Sequence, residues 1–132
     1  MIKLICGRSR AGKTTYSQQF DDVVHLDDYG SDCYKRVAEV VAQKQCDVVV
    51  DGVYNTSERR KTLLNAYLGE GEKTCIWLDT PHEVIESRFF WRWKPIDMPQ
   101  LFEPPTFDEG WDEIVIIRGD NDVERYSRQT ED

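Results

Sequence analysis

GRSRAGKTT, residues 7–15, follows directly on the apolar run MIKLIC. Its spacing is G-x-x-x-x-G-K-[ST], with Gly7, Gly12, Lys13 and Thr14 at the fixed positions. That is a phosphate-binding P-loop signature, provided a strand precedes it and a helix follows. Each residue type answers a chemical need. Glycines let the backbone curl until its N–H groups point inward, and that nest, with a helix N-terminus behind it, holds polyphosphate. The lysine reaches the β- and γ-phosphates, and the Thr14 hydroxyl can ligate Mg²⁺. Gly7, Ala11, Gly12, Lys13, Thr14 and Thr15 are therefore the residues expected to bind ATP. The match arises by chance in well under ~1 % of chains this size, given the ordinary abundance of glycine.

The surrounding pattern meets the condition. Residues 2–6 read as a buried strand, and 13–20 as a helix opening at the second glycine. Residues 23–26 (VVHL) form a second strand. Ser31 and Asp32 are N-cap types for a helix over about 32–45, where Tyr34, Val37, Val40 and Val41 share one face. The unbroken apolar run of DVVVD (47–51) suits a parallel strand covered on both sides. Thr56 or Ser57 caps a helix over about 58–68, which Gly69 and Gly71 end. KTCIWLD (73–79) is a fourth strand, Pro81 opens a helix to about residue 90, and EIVII (113–117) is a fifth strand. Strands alternating with helices predict an α/β fold of the P-loop NTPase kind. The expected sheet is parallel, of four to five strands flanked by helices, with an arginine-bearing lid helix. Residues 94–112 carry Pro95, Pro99, Pro104 and Pro105 and read as an ordered, irregular strap. Residues 119–132 are acidic and polar and are expected to fray.

At 132 residues the chain has room for one core. A formal charge of −8 argues against a general nucleic-acid coat, which is normally basic. It permits an enzyme that touches one strand end through a few local cations. Cys6, Cys33, Cys46 and Cys75 show neither a C-x-x-C pair nor metal spacing, so they read as free thiols in a reducing compartment. MIKLIC is too short for a signal peptide or a membrane span. The expected location is the cytoplasm, or the host cytoplasm if the chain is phage-encoded, with no membrane partner; the sequence leaves the oligomeric state open.

A P-loop alone does not separate kinases from switches or motors, but three further stretches do. Asp27 and Asp28 follow the second strand, whose carboxyl end faces the ligand crevice in such sheets. Asp27 is the expected general base, and Asp28 a helper or structural residue. Asp51 ends the third strand and either holds Mg²⁺ through water or simply forms a Asp-Gly turn. One of Arg59 and Arg60 contacts substrate, or both lie on a solvated face. Arg88 and Arg92, four apart on one helix face, either close over the transferring phosphoryl group or complement the helix dipole. Arg8 and Arg10 face solvent or touch phosphate. Phe89, Phe90, Trp91 and Trp93 read as packing residues, and His25 and His82 as structural.

In this order, the P-loop, HLDDYG (25–30), DGVYNTSERR (51–60), ESRFFWR (86–92) and FEPPTFDEGWDEIVII (102–117) resemble the kinase domain of bacteriophage and animal polynucleotide 5′-kinases. The resemblance covers about residues 1–118, which it makes a P-loop kinase domain, with 119–132 as a flexible tail. Its most specific part is the segment with Pro105, Thr106, Glu109, Gly110 and Trp111. It implies transfer of the ATP γ-phosphate to a 5′-hydroxyl of DNA or RNA, Asp27 as general base, and Arg88 or Arg92 on the ATP phosphates. One departure matters. The family commonly has D-x-Y-R where this chain has Asp27-Asp28-Tyr29-Gly30. The absent arginine is the one expected to grip the phosphate on the 3′ side of the acceptor nucleoside. Lys35 or Arg36 on the next helix is the candidate to replace it, and Asp28 and Arg59 are further substrate candidates. If neither Lys35 nor Arg36 replaces it, the acceptor is a nucleoside, a nucleotide or another small hydroxyl compound. A nucleotide-binding switch is the alternative of a different class; a switch needs no acceptor base, so Asp27 favours transfer.

Overall fold

The computed structural model describes residues 1–8, 11–44, 47–81, 102–119 and 122–128. The expected lid helix with Arg88 and Arg92 lies outside the described residues, as do Arg10, Cys46, His82, Pro95 and Pro99. The elements run β1 (Ile2–Gly7), α1 (Lys13–Ser17), β2 (Val23–His25), a 3₁₀ turn (Leu26–Tyr29), α2 (Cys33–Gln43), β3 (Val48–Gly52), α3 (Ser57–Ala66) and β4 (Lys73–Leu78). A second 3₁₀ turn (Phe107–Glu109), β5 (Glu113–Gly119) and β6 (Asp122–Ser127) complete them.

Among the described residues, the six strands join one sheet in the order β2-β3-β1-β4-β5-β6. The pairs from β2 to β5 are parallel, and β6 runs antiparallel to β5. Successive residues of each strand enter opposite layers. Leu4, Val50, Cys75 and Ile114 pack with α2 and α3 residues Val37, Val41, Leu63 and Leu64. Ile5, Val49, Ile76 and Val115 pack on the other side with Ala11, Tyr16 and Phe20. Burial on both faces explains why these strands read as unbroken apolar runs. Thr56 is the cap of α3: its Oγ1 accepts from the Arg59 amide at 3.2 Å. The helix stops at Ala66, before Gly69, because Tyr67 turns extended and buries its ring in the core.

The strand count is larger than expected, and the difference lies in the stretch expected to fray. Residues 122–127 form β6, with Ile114 opposite Tyr126 and Ile116 opposite Glu124. An edge strand needs backbone partners more than apolar side chains, and most of β6 is exposed. Arg118 adds side-chain anchors, to Glu124 at 2.6 Å and Asp79 at 3.3 Å. Low apolar content therefore misled the sequence reading. Truncation after Arg118 should lower the melting temperature and promote self-association through the bared edge of β5. Thermal melts and size-exclusion chromatography check this; an unchanged monomer would show that β6 contributes nothing.

The strap has a structural task that its sequence did not disclose. Arg60 is 0 % exposed. Its Nε and Nη2 donate to the two Glu109 carboxylate oxygens at 2.8 and 2.9 Å. Its Nη1 donates to the Tyr54 carbonyl at 2.7 Å, and Trp111 Nε1 donates to Glu109 Oε1 at 2.9 Å. Gly110, at φ 116, makes the turn that sends Trp111 into the core. This network braces the β3–α3 connection from within. Burial by itself pushes the Glu109 carboxyl up, but the bonds from Arg60 and Trp111 outweigh it and hold the carboxyl below its ordinary value. The stability it contributes is therefore present above the ordinary carboxylate value and lost as pH falls through that value toward the folded one. Glu109→Gln should cost about 2–3 kcal/mol at neutral pH, by leaving a buried guanidinium uncompensated. It should also flatten the acid limb of stability against pH. Parallel acid limbs in denaturant melts of both proteins would refute the contribution.

Candidate active site

The loop that carries Gly12 follows β1, Asp27 and Asp28 follow β2, Asp51 is the penultimate residue of β3, and Thr80 follows β4. Because these strands are parallel, their carboxyl ends share one edge of the sheet, where ligands bind in such folds. Register sets the fine placement: Asp51 sits between Ile5 on β1 and His25 on β2.

Two glycines shape the loop for different reasons. Gly12 has φ 104, the left-handed region. At Gly7 the constraint is space: a Cβ would lie 2.9 Å from the Leu78 carbonyl oxygen. The Ala11 amide donates to the Arg8 carbonyl at 3.0 Å and closes the turn. Thr80 Oγ1 donates to the Ala11 carbonyl at 2.7 Å, and Arg8 Nη2 donates to the Thr80 carbonyl at 3.1 Å. The loop after β4 thus holds the P-loop, which no local sequence signal announced. Lys13 Nζ donates to the carbonyls of Gly7 and Arg8 at 3.0 and 2.8 Å. Burial pushes the Lys13 ammonium below its ordinary pKa, against the opposing pull of Asp27, Cys6 and Asp51. Thr14 and Thr15 are exposed. α1 ends at Ser17, so this helix is shorter than expected.

Asp27 and Asp28 are both exposed in the 3₁₀ turn. The charge of Asp27 opposes the effect of burial on the Lys13 ammonium and adds to it on the Tyr34 hydroxyl. Asp51 is 5 % exposed, and its Oδ2 pairs with His25 Nδ1 at 2.8 Å. Sequence reasoning left His25 without a partner. The only available signal was that both residues end β-strands, and the pairing needs the strand order.

The other candidates are dispersed. Lys35 is exposed, and Arg36 Nη1 turns back to the Tyr29 carbonyl at 3.3 Å. Arg60 is the internal brace already described. Arg59 lays its guanidinium 4.4 Å over the Tyr34 ring. Its Nη1 donates to Tyr34 Oη at 3.2 Å and Asn55 Oδ1 at 2.6 Å. Tyr34, Asn55, Thr56, Glu58, Arg59 and Thr62 line a cavity of about 420 Å³. None of these residues belongs to the loop of residues 7–15.

These observations define a mixed α/β protein with a mostly parallel six-stranded sheet and polar groups gathered at its carboxyl edge. An unliganded crystal structure of a sugar kinase from Janibacter sp. HTCC2649 is similar, with a TM-score of 0.67 and 17 % identity, over 89 % of this chain and 84 % of that one. At that identity the likeness is one of fold, a kinase-like fold. No protein-family model matches the chain, and no curated protein matches it. Among the described residues no helix is long and apolar enough to cross a membrane.

Proposed function

We propose that the chain is an ATP-dependent phosphotransferase, a P-loop kinase whose acceptor is the 5′-hydroxyl of a nucleic-acid end. The observation that carries the phosphotransferase reading is the placement of Lys13 and Asp27. Lys13 opens the helix after β1 and Asp27 follows β2, so a lysine and a carboxylate meet at the same carboxyl edge of the parallel sheet. A kinase needs this combination, and a switch needs only the first half of it.

The chain's own residues supply the following steps. The backbone amides around Gly7–Gly12 hold the polyphosphate. Lys13 leaves the carbonyls of Gly7 and Arg8 for the β- and γ-oxygens. Asp27 accepts the proton of the attacking hydroxyl as its oxygen bonds to the γ-phosphorus. The bond from that phosphorus to the β–γ bridging oxygen breaks, and ADP leaves. Thr14 and Asp51 are the residues that would hold Mg²⁺, which when bound neutralises charge on the β/γ oxygens. They suit it: the Thr14 residue is exposed, and only Oδ2 of Asp51 is taken by His25. Among the described residues no group of three or more His, Cys, Asp or Glu could cage a metal, and Mg²⁺ ordinarily binds through one or two carboxylates plus substrate phosphates. Arg88 and Arg92 are assigned to the lid by spacing alone.

The nucleic-acid acceptor rests on the ordered motifs. A second reading, a small-metabolite or nucleoside kinase on the same scaffold, has specific support. Glu109 and Trp111, at the most specific of those motifs, are buried in a brace, so their presence argues for the fold rather than the acceptor. Gly30, the −8 charge and the sugar kinase likeness point the same way. The test is transfer of labelled γ-phosphate to a 5′-hydroxyl dinucleotide, a 5′-hydroxyl 20-mer, a nucleoside and a sugar. Labelled oligomers support the first reading, and labelling of only nucleoside or sugar establishes the second. ATP hydrolysis with every acceptor inert sinks both.

A further inference from the structure

We infer that the cavity between α2 and α3 seats the acceptor by an oxyanion and that Arg59 is the residue that reads it; this rests on the phosphotransferase reading and deepens it. Among the described residues, Arg59 is a cation whose geometry is fixed and which has donors left over. Its guanidinium is held flat on Tyr34. Tyr34 is itself set edge-on against the buried Tyr54 ring, at 5.1 Å and 90°, and its hydroxyl donates to the Val53 carbonyl. Both hydrogen bonds of the Arg59 head use Nη1. Among the described residues, Nε and Nη2 donate to nothing. That edge is a planar two-donor fork of the shape that receives a carboxylate or phosphate. Elsewhere Arg60, Arg36 and Arg118 already hold protein carbonyls or carboxylates.

The cavity also lies at the sheet edge where the acceptor would bind. Its residues Asn55 and Thr56 follow the end of β3 at Gly52, Tyr34 donates to the Val53 carbonyl, and the 3₁₀ turn that carries Asp27 packs on α2 and β3. About 420 Å³ falls within the ~300–1,000 Å³ of small-molecule sites, room for one sugar-sized unit rather than a duplex. Glu58 and Thr62 line the same space and offer partners to hydroxyl groups. The chemistry recognised is therefore a hydroxyl compound bearing one oxyanion about a sugar unit from the hydroxyl that is phosphorylated. A phosphodiester in a 5′-hydroxyl strand and the carboxylate of a sugar acid both satisfy it. Arg59 would then do for this chain what an arginine at position 30 would otherwise do.

The experiment pairs charged and neutral acceptors. Thymidylyl-(3′→5′)-thymidine is compared with thymidine, and gluconate with glucose, using wild type, Arg59→Ala, Arg59→Lys and Tyr34→Phe. One charge-assisted fork is worth roughly 10- to 100-fold in binding. The charged member of one pair should therefore show a KM lower by about tenfold or more, and which pair responds identifies the source of the oxyanion. Arg59→Ala should raise that KM by a similar factor with the KM for ATP unchanged, and Arg59→Lys should restore only part of it. Tyr34→Phe, which removes one anchor of the guanidinium, should fall between. Equal KM values within both pairs, or an Arg59→Ala protein indistinguishable from wild type, would overturn the inference. Calorimetric titration of the same four compounds without ATP, beside a titration of ATP alone, separates the two levels. ATP binding with no Arg59-dependent acceptor binding refutes the cavity and spares the kinase. Arg59-dependent binding without ATP binding does the reverse.

Discussion

An Asp27→Asn variant is expected to bind ATP at least as tightly as the native chain and to transfer phosphate about 10²–10⁴-fold more slowly, the usual worth of a general base. The amide keeps the shape of the side chain but cannot take the proton of the acceptor hydroxyl. Asp27 is exposed on its 3₁₀ turn, so the fold loses nothing by the change. Its negative charge acts on Lys13, and its removal takes away a repulsion from polyphosphate. Single-turnover transfer measured beside equilibrium ATP binding separates the two effects. Asp28→Asn is the internal control, because Asp28 is the neighbouring exposed carboxylate of the same turn. A large loss in Asp28→Asn with Asp27→Asn intact would reverse the assignment within the pair.

Lys13→Ala should reduce transfer by roughly 10²-fold or more, the cost of deleting a preorganised cation aimed at developing charge. It should do so without harming stability. Burial lowers the Lys13 pKa in the fold, so the charged ammonium is the form the fold resists, and that cost is relieved only as pH rises past the folded value. Alanine removes the cost together with the bonds to the carbonyls of Gly7 and Arg8. A melting temperature equal to or above wild type, with transfer abolished, is the expected outcome. Full turnover in Lys13→Ala would remove the P-loop from the ATP site; collapse of the fold would show that Lys13 serves as an internal strut.

The parts of this protein legible in the sequence are those fixed over short stretches of chain. The loop between β1 and α1, the parallel strands and α2 with Val37 and Val41 inward all follow from local spacing and apolar period. The parts that were not legible join residues far apart. His25 meets Asp51 because β2 lies against β3. Thr80 holds the Ala11 carbonyl because β4 lies against β1. Glu109 reaches Arg60 because the strap folds back beneath α3. No periodicity encodes such pairs, since each depends on strand order and register. β6 escaped for another reason: edge pairing is made by backbone groups, on which composition is silent.

Arg59 and Arg60 show the division within two residues. By itself the sequence determined that a helix follows β3 and carries two adjacent cations in its first turn. It could not say which of the two would face the protein, because the side chains are chemically identical. The tertiary structure decided. An α-helix turns about 100° per residue, so neighbours leave in different directions. That rotation points Arg60 at the strap, where Glu109 neutralises it in the interior. The same rotation lays Arg59 on Tyr34 at the wall of the cavity, with Nε and Nη2 bonded to nothing among the described residues.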